Sequence, residues 1–299
     1  MLRSFSPVVC EAKKSLPNNH GALLRFRTDK VGTACAIPFK KVLVHKAIKW
    51  NGKLITEPNL FLSNLYSQKV TGSILNRSIN NLDQVERYIA PVDLINKMAS
   101  NCTVEYDSRL TMSGLDYTRD WEPDRPIVST VPMPVMMKMI GWKDVPDFPY
   151  QKIWTQKATI ESPDCDVYQT IYYPDNLVGH YRTSVIGNVV ISEFIRKPEV
   201  NPGQHLMVSL REDFGIQAKV LDKIKESSQT YGKIMPIDET IRQRFILELT
   251  NKYGIYSVGR FATWRQLLLD DVVKDLQHIE RFIRDSNQYS RMMHSKKGK

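Results

Sequence analysis

The stretch Tyr256-Ser257-Val258-Gly259-Arg260-Phe261-Ala262-Thr263-Trp264, followed by Leu268-Leu269-Asp270-Asp271-Val272, decides how the rest of the chain is read. A short apolar run, Ile255 to Val258, meets a glycine. A bend rich in Arg and aromatic residues follows, and two Asp residues then open an amphipathic helix. Such a helix start presents backbone N–H groups without intrahelical partners and the positive end of the helix dipole, which suits an electron-rich partner. The plainer alternative is a surface turn that carries an Arg and a Trp.

Composition narrows the classes. At 299 residues the chain is long enough for two lobes around a large core. Its 42% hydrophobic and 25% charged residues are those of an ordinary globular protein. The apolar runs fall far short of a membrane span, and the N-terminus lacks the apolar region of a signal peptide. Cys10, Cys35, Cys102 and Cys165 are scattered without a CxxC pair. That argues against a zinc site, gives no disulfide framework and points to a reducing, cytoplasmic setting. His20, His45, His180, His205, His278 and His294 form no hydrolase or metal spacing with Cys or Asp, so no metal ligand is assigned. The formal net charge is +10, yet the only dense basic run is Arg291 to Lys299. Residues 289–299 therefore read as a basic disordered tail, able at most to make weak, salt-sensitive contact with a polyanion. No nucleic-acid-binding signature accompanies it.

Outward from the bend, Thr240 to Tyr253 reads as helix, and Asp270 to Asp285 as an amphipathic helix with Val272, Leu276, Ile279 and Ile283 on one face. At the other end, Ser6 to Ala12 reads as a buried strand ending in an acid, Glu11. A polar loop then leads to Arg25 and Arg27 on either side of Phe26. Val42 to Trp50 and Thr103 to Tyr106 read as strands, Asn80 to Glu86 as polar, and Pro91 as the start of a helix. Ile127 to Val131 is an apolar strand stopped by Pro132, and the Met-rich helix after it reads as core filling. From Trp154 to Phe194 the chain is rich in β-branched and aromatic residues, with a tight turn at Gly187-Asn188. Gln217 to Thr230 reads as polar helix or loop. The class is α/β: an antiparallel sheet inserted between βα segments.

These segments, in this order, resemble the FAD-dependent oxidoreductase and UDP-galactopyranose mutase superfamily of the amine-oxidase type. They are also similar to uncharacterised flavoprotein-like reading frames of bacteriophages. The resemblance implies an incomplete Rossmann-like FAD-binding lobe (1–45, 86–135 and 245–288) carrying an antiparallel substrate lobe (46–85 and 136–244). It implies that Glu11 accepts from the adenosine ribose, because a carboxylate can receive both hydroxyls. His20-Gly21 stands where the family has a Gly-Gly doublet, and Arg25 or Arg27 where it neutralises phosphate. Gly259, Arg260, Trp264, Asp270, Asp271 and Val272 correspond to the block that closes over the flavin. Tyr181 and Arg182 correspond to substrate-side strands, although in a hairpin Arg182 and Glu193 more often form a cross-strand ion pair.

One family feature is missing. No Gly-x-Gly occurs anywhere in the sequence, so the G-x-G-x-x-G turn that meets the pyrophosphate is absent. Three explanations stand: a start at an internal Met, a partner chain that supplies the unit, or a cofactor-free relative. The implied activity is flavin-dependent oxidation or rearrangement of a small molecule. The alternative is a non-catalytic protein that uses the scaffold to bind a protein or nucleic acid.

Overall fold

The computed structural model describes residues 8–16, 25–74, 79, 83–121, 125–161, 167–199 and 203–297. It is a mixed α/β protein with several sheets. The elements begin with β1 (Val8–Cys10), β2 (Arg25–Phe26), α1 (Lys30–Cys35), β3 (Lys40–Trp50) and β4 (Lys53–Ile55). They continue with α2 (Leu60–Thr71), β5 (Asp83–Ile89), α3 (Leu94–Ala99), β6 (Thr103–Glu105) and α4 (Met112–Trp121). Next come β7 (Ile127–Ser129), α5 (Met133–Met139), β8 (Tyr150–Thr159), β9 (Val167–Tyr172), β10 (His180–Ile186) and β11 (Val189–Phe194). The chain closes with α6 (Gln204–Glu212), β12 (Lys225–Ile234), α7 (Glu239–Tyr253), β13 (Ile255–Ser257) and α8 (Leu269–Lys297). No helix among the described residues is long and apolar enough to cross a membrane.

The chain divides into two compact units. Unit 1 is Met1–Phe39, Ala90–Phe148 and Pro236–Lys299; unit 2 is Lys40–Ile89 and Pro149–Met235.

Unit 2 is built on one sheet with strand order β12-β8-β11-β10-β9-β3-β5, and β4 pairs with β3. Every pairing on this path is antiparallel except β3 with β9. The β10–β11 hairpin turns at Gly187, whose φ of 56° lies in the left-handed region that glycine reaches without a steric cost. Neighbouring strand residues point to opposite faces, and the two faces have different covers. On one, Leu62, Tyr66 and Val70 of α2 pack with Ile48, Ile153, Tyr172 and Tyr181. On the other, Leu206 and Leu210 of α6 pack with Ala158, Ile160, Val185 and Val190. Fully burying each such side chain contributes about 1.5–3 kcal/mol.

Unit 1 contains two parallel strand pairs, β1 with β6 and β7 with β13. Its buried residues include Met133, Met136 and Met137 of α5, Phe245 and Leu249 of α7, and Ile255, Val258 and Ala262 around β13. Trp142 meets Phe245 edge-on, with ring centroids 5.1 Å apart. α7 is capped at its start, the Asp238 carboxylate accepting from the Ile241 N–H at 2.9 Å.

Several elements depart from the sequence reading. Strand β1 is exposed rather than buried, with Val8 37% and Val9 40% accessible. Apolar character alone cannot say whether a strand has a cover. Within the stretch read as polar helix or loop, Lys225–Thr230 belongs to β12, and within Asn80 to Glu86 residues 83–86 belong to β5. Exposed side chains predominate in β12, and β5 mixes exposed with half-buried ones, so ladder pairing and cross-strand contacts hold them more than deep burial does. Thr155 and Ser227 hydroxyls lie 2.7 Å apart, and the Gln156 amide donates to Glu226 at 2.8 Å. The α8 backbone continues as helix through residues expected to form the tail. Nothing from Leu269 to Lys297 is Gly or Pro, and both ends of the stretch are rich in good helix formers.

Candidate functional site

The Gly259 bend leaves the end of β13, where the Val258 N–H donates to the Ser129 carbonyl of β7 at 2.9 Å. Gly259 has φ 87°, and a Cβ there would meet nothing within 4 Å, so the backbone turns left-handed beside open space. The turn then closes on itself. The Thr263 N–H and hydroxyl both donate to the Gly259 carbonyl, at 3.1 and 2.7 Å. The Met133 N–H at the start of α5 donates to the Phe261 carbonyl at 2.9 Å, which docks the bend on that helix.

From below, Arg242 of α7 supports the bend. Only 8% exposed, it donates to the Thr263 carbonyl at 3.1 Å and forks onto the Glu239 carboxylate. Hydrogen bonds from Arg242 pull the Glu239 carboxyl down to about 2. Trp264, at φ 47° and 2% exposed, packs edge-on against Phe148 at 4.8 Å between centroids. Its ring is thus spent on the core. Arg260 lies beside the Phe261 ring at 5.8 Å, and Arg265 pairs with Asp275 in the second turn of α8.

The two acids at the helix start are engaged. The Asp270 carboxylate accepts from the Arg27 and Thr28 backbone N–H groups at 3.1 and 3.0 Å, and from the Thr28 hydroxyl. These partners are 242 and 243 residues away in sequence. Asp271 reaches back to the Leu268 N–H at 2.9 Å, half of a capping box. Val272 closes the first turn through the Leu268 carbonyl at 3.3 Å.

A cavity of about 720 Å³ lies along α7 and α8, lined among others by Leu247, Tyr256, Thr263, Arg265, His278 and Phe282. It touches the bend at Thr263 and Arg265. Gly259, Arg260, Trp264, Asp270, Asp271 and Val272 are not in its lining.

Elsewhere in unit 1, Glu11 follows β1, its N–H bonded to the Glu105 carbonyl at 2.8 Å and its carboxylate accepting from the Lys13 N–H at 3.0 Å. Arg25 opens β2. His20 and Gly21 lie outside the described residues.

In unit 2, Tyr181 is 0% exposed and its hydroxyl donates to Glu193 at 3.0 Å. Arg182 faces Glu193 across the β10–β11 hairpin and pairs with the same carboxylate. Burial would raise the Glu193 carboxyl, but the Arg182 guanidinium holds it below the usual range. Burial and the Glu193 charge push the Tyr181 phenol far up. Two buried polar groups were not singled out by sequence. One is the Tyr173 hydroxyl, donating to Asp213 at 2.6 Å beside Ser209 at 2.7 Å. The other is Lys69, surrounded by main-chain carbonyls. Neither has a local signature, because each is assembled by strand pairing or helix docking. Among the described residues no group of three or more His, Cys, Asp or Glu is placed to hold a metal ion.

No protein-family model matches the chain, and neither does any curated protein sequence. Among solved structures it is similar to a flavin-dependent brominase triple mutant, at 9% identity and TM-score 0.48 over 94% of this chain and 75% of that one. It is similar to a flavoprotein/dehydrogenase from Cytophaga hutchinsonii, at 9% identity and TM-score 0.44 over 91% and 69%. A reduced UDP-galactopyranose mutase matches at 17% identity and TM-score 0.33, over 47% of this chain and 36% of the mutase. At these scores and identities the likenesses establish neither a shared fold nor a family.

Proposed function

We propose that this chain is a flavoprotein-type protein, an FAD-dependent oxidoreductase or mutase acting on a small molecule. The observation that carries the reading is the junction of Asp270 with Arg27 and Thr28. The resemblance assigns Arg25 or Arg27 and Asp270 to one cofactor from opposite ends of the sequence, and the backbone N–H of Arg27 hydrogen-bonds the Asp270 carboxylate. The residues fit an isoalloxazine in one respect: the left-handed turn at Gly259 has open space beside it, and an α-helix starts ten residues later. They do not fit a pyrophosphate. The sequence holds no Gly-x-Gly, and the N–H groups of Arg27 and Thr28 that could meet an anion are taken by Asp270.

A second reading, a non-catalytic binding protein on this scaffold, draws on the same fact from the other side. Both carboxylates at the start of α8 already serve hydrogen bonds within the chain. Titration with FAD separates the two. The flavin reading expects saturable quenching of flavin fluorescence and a protein-bound visible spectrum. A purified chain that is colourless and leaves added FAD free at tens of micromolar removes it and leaves the binding role.

A further inference from the structure

Lys69 sits in the last turn of α2, only 8% exposed. Its Nζ lies 2.8 Å from the Tyr173 carbonyl oxygen, 2.6 Å from that of Asp175, 2.7 Å from that of Val178 and 2.9 Å from that of His180. Three of the acceptors, Tyr173, Asp175 and Val178, belong to the connection between β9 and β10, and the fourth, His180, is the first residue of β10. An ammonium has three N–H donors, so four oxygens at nearly equal range form a coordination shell rather than a set of single hydrogen bonds. No carboxylate oxygen is among the four. The side chain of Asp175 accepts from the Leu177 N–H at 2.9 Å instead. Burial pulls the Lys69 ammonium down to about 8, which leaves it charged at neutral pH. Only the charged form, with no lone pair facing the oxygens, satisfies the shell.

The distances identify the kind of ion the shell accepts. Magnesium holds oxygen at about 2.0–2.1 Å and calcium at about 2.3–2.6 Å, both shorter than most of these contacts. Rings of main-chain carbonyls without side-chain charge are the means by which proteins replace the hydration shell of potassium. We infer that the β9–β10 connection is a monovalent-cation site of ammonium or potassium size, occupied within the chain by the tethered ammonium of Lys69. The fixed ion draws four carbonyl dipoles to one point, and it ties the C-terminal end of α2, where the helix dipole favours a cation, to the sheet. The inference is independent of the flavin reading.

The test is the full-length Lys69→Ala variant, melted in chloride salts of lithium, sodium, potassium, ammonium and tetramethylammonium at equal ionic strength. The expected result is a variant much less stable than the parent in lithium, sodium and tetramethylammonium. Potassium and ammonium should restore several degrees of Tm, with saturation, while the parent responds alike to all five. Equal Tm values for the variant in every salt, or sodium matching potassium, overturn the inference. Should the variant fail to fold in sodium, its refolding from denaturant supplies the second reading. Recovery in potassium or ammonium alone supports the site, and recovery in none refutes it.

Discussion

Asp270→Ala should loosen the junction between the two ends of unit 1. The substitution strips acceptors from two backbone N–H groups and one hydroxyl, all now bonded to a single carboxylate. Hydrogen bonds to a charged group contribute about 1.5–3 kcal/mol each. Asp270 is half-buried, so water can replace part of what is lost, and roughly 1 kcal/mol per bond is the better figure. Losing an acid from the first turn of α8 adds about 0.3–1 kcal/mol. The sum is about 3–4 kcal/mol, acting locally. The matching assay is native-state amide exchange at Arg27 and Thr28. At about 1.4 kcal/mol per factor of ten, exchange there should quicken by roughly 150- to 700-fold. The Ile171 and Val190 amides in the unit 2 sheet should hardly change. Exchange at Arg27 and Thr28 within about threefold of the parent would refute the claim that Asp270 fastens this segment.

Two further substitutions probe unit 2. Glu193→Gln leaves the half-buried Arg182 without its counter-ion and should cost about 2–3 kcal/mol in denaturant unfolding, less than for a fully buried pair. The folded carboxyl is depressed, so its contribution is present above the ordinary value of 4.5 and fades as pH falls through the folded value; the gap between parent and variant should shrink along that acid limb, and a constant gap contradicts the pairing. His180, 6% exposed with neither ring nitrogen hydrogen-bonded, is pushed by burial to about 3 from 6.5. Unfolding frees it to take a proton, so the parent should lose stability as pH falls from 6.5 toward 3. His180→Phe, set among Tyr173, Phe194 and His205, should flatten that slope, and an unchanged slope assigns the acid sensitivity elsewhere.

Period and punctuation carried the sequence reading a long way in some places. The β10–β11 hairpin was legible because β-branched residues flank Gly187-Asn188, and α7 because Thr240 to Tyr253 runs without Gly or Pro. α2 and α6 were not legible. Buried polar residues on them, Ser63, Ser67 and Lys69 in α2 and Ser209 in α6, blur the apolar stripe that marks a half-buried helix. β5 and β12 escaped because ladder pairing, rather than an apolar face, holds them. At the candidate site, the sequence showed which residue types surround Gly259 but not where their side chains go. The Trp264 ring packs against Phe148, and the Asp270 carboxylate accepts from Arg27 and Thr28. Those outcomes depend on segments more than a hundred residues distant.

The division of the chain has a consequence for its synthesis. The polypeptide leaves unit 1 after Phe39, returns at Ala90, departs again after Phe148 and comes back at Pro236. On the ribosome, unit 2 can complete its ladder once Ile234 emerges, but β7 must wait for β13, and Arg27 and Thr28 must wait for Asp270. For most of translation Arg27 and Thr28 therefore lack the carboxylate that will hold them, and a stop codon before residue 270 would leave them so permanently.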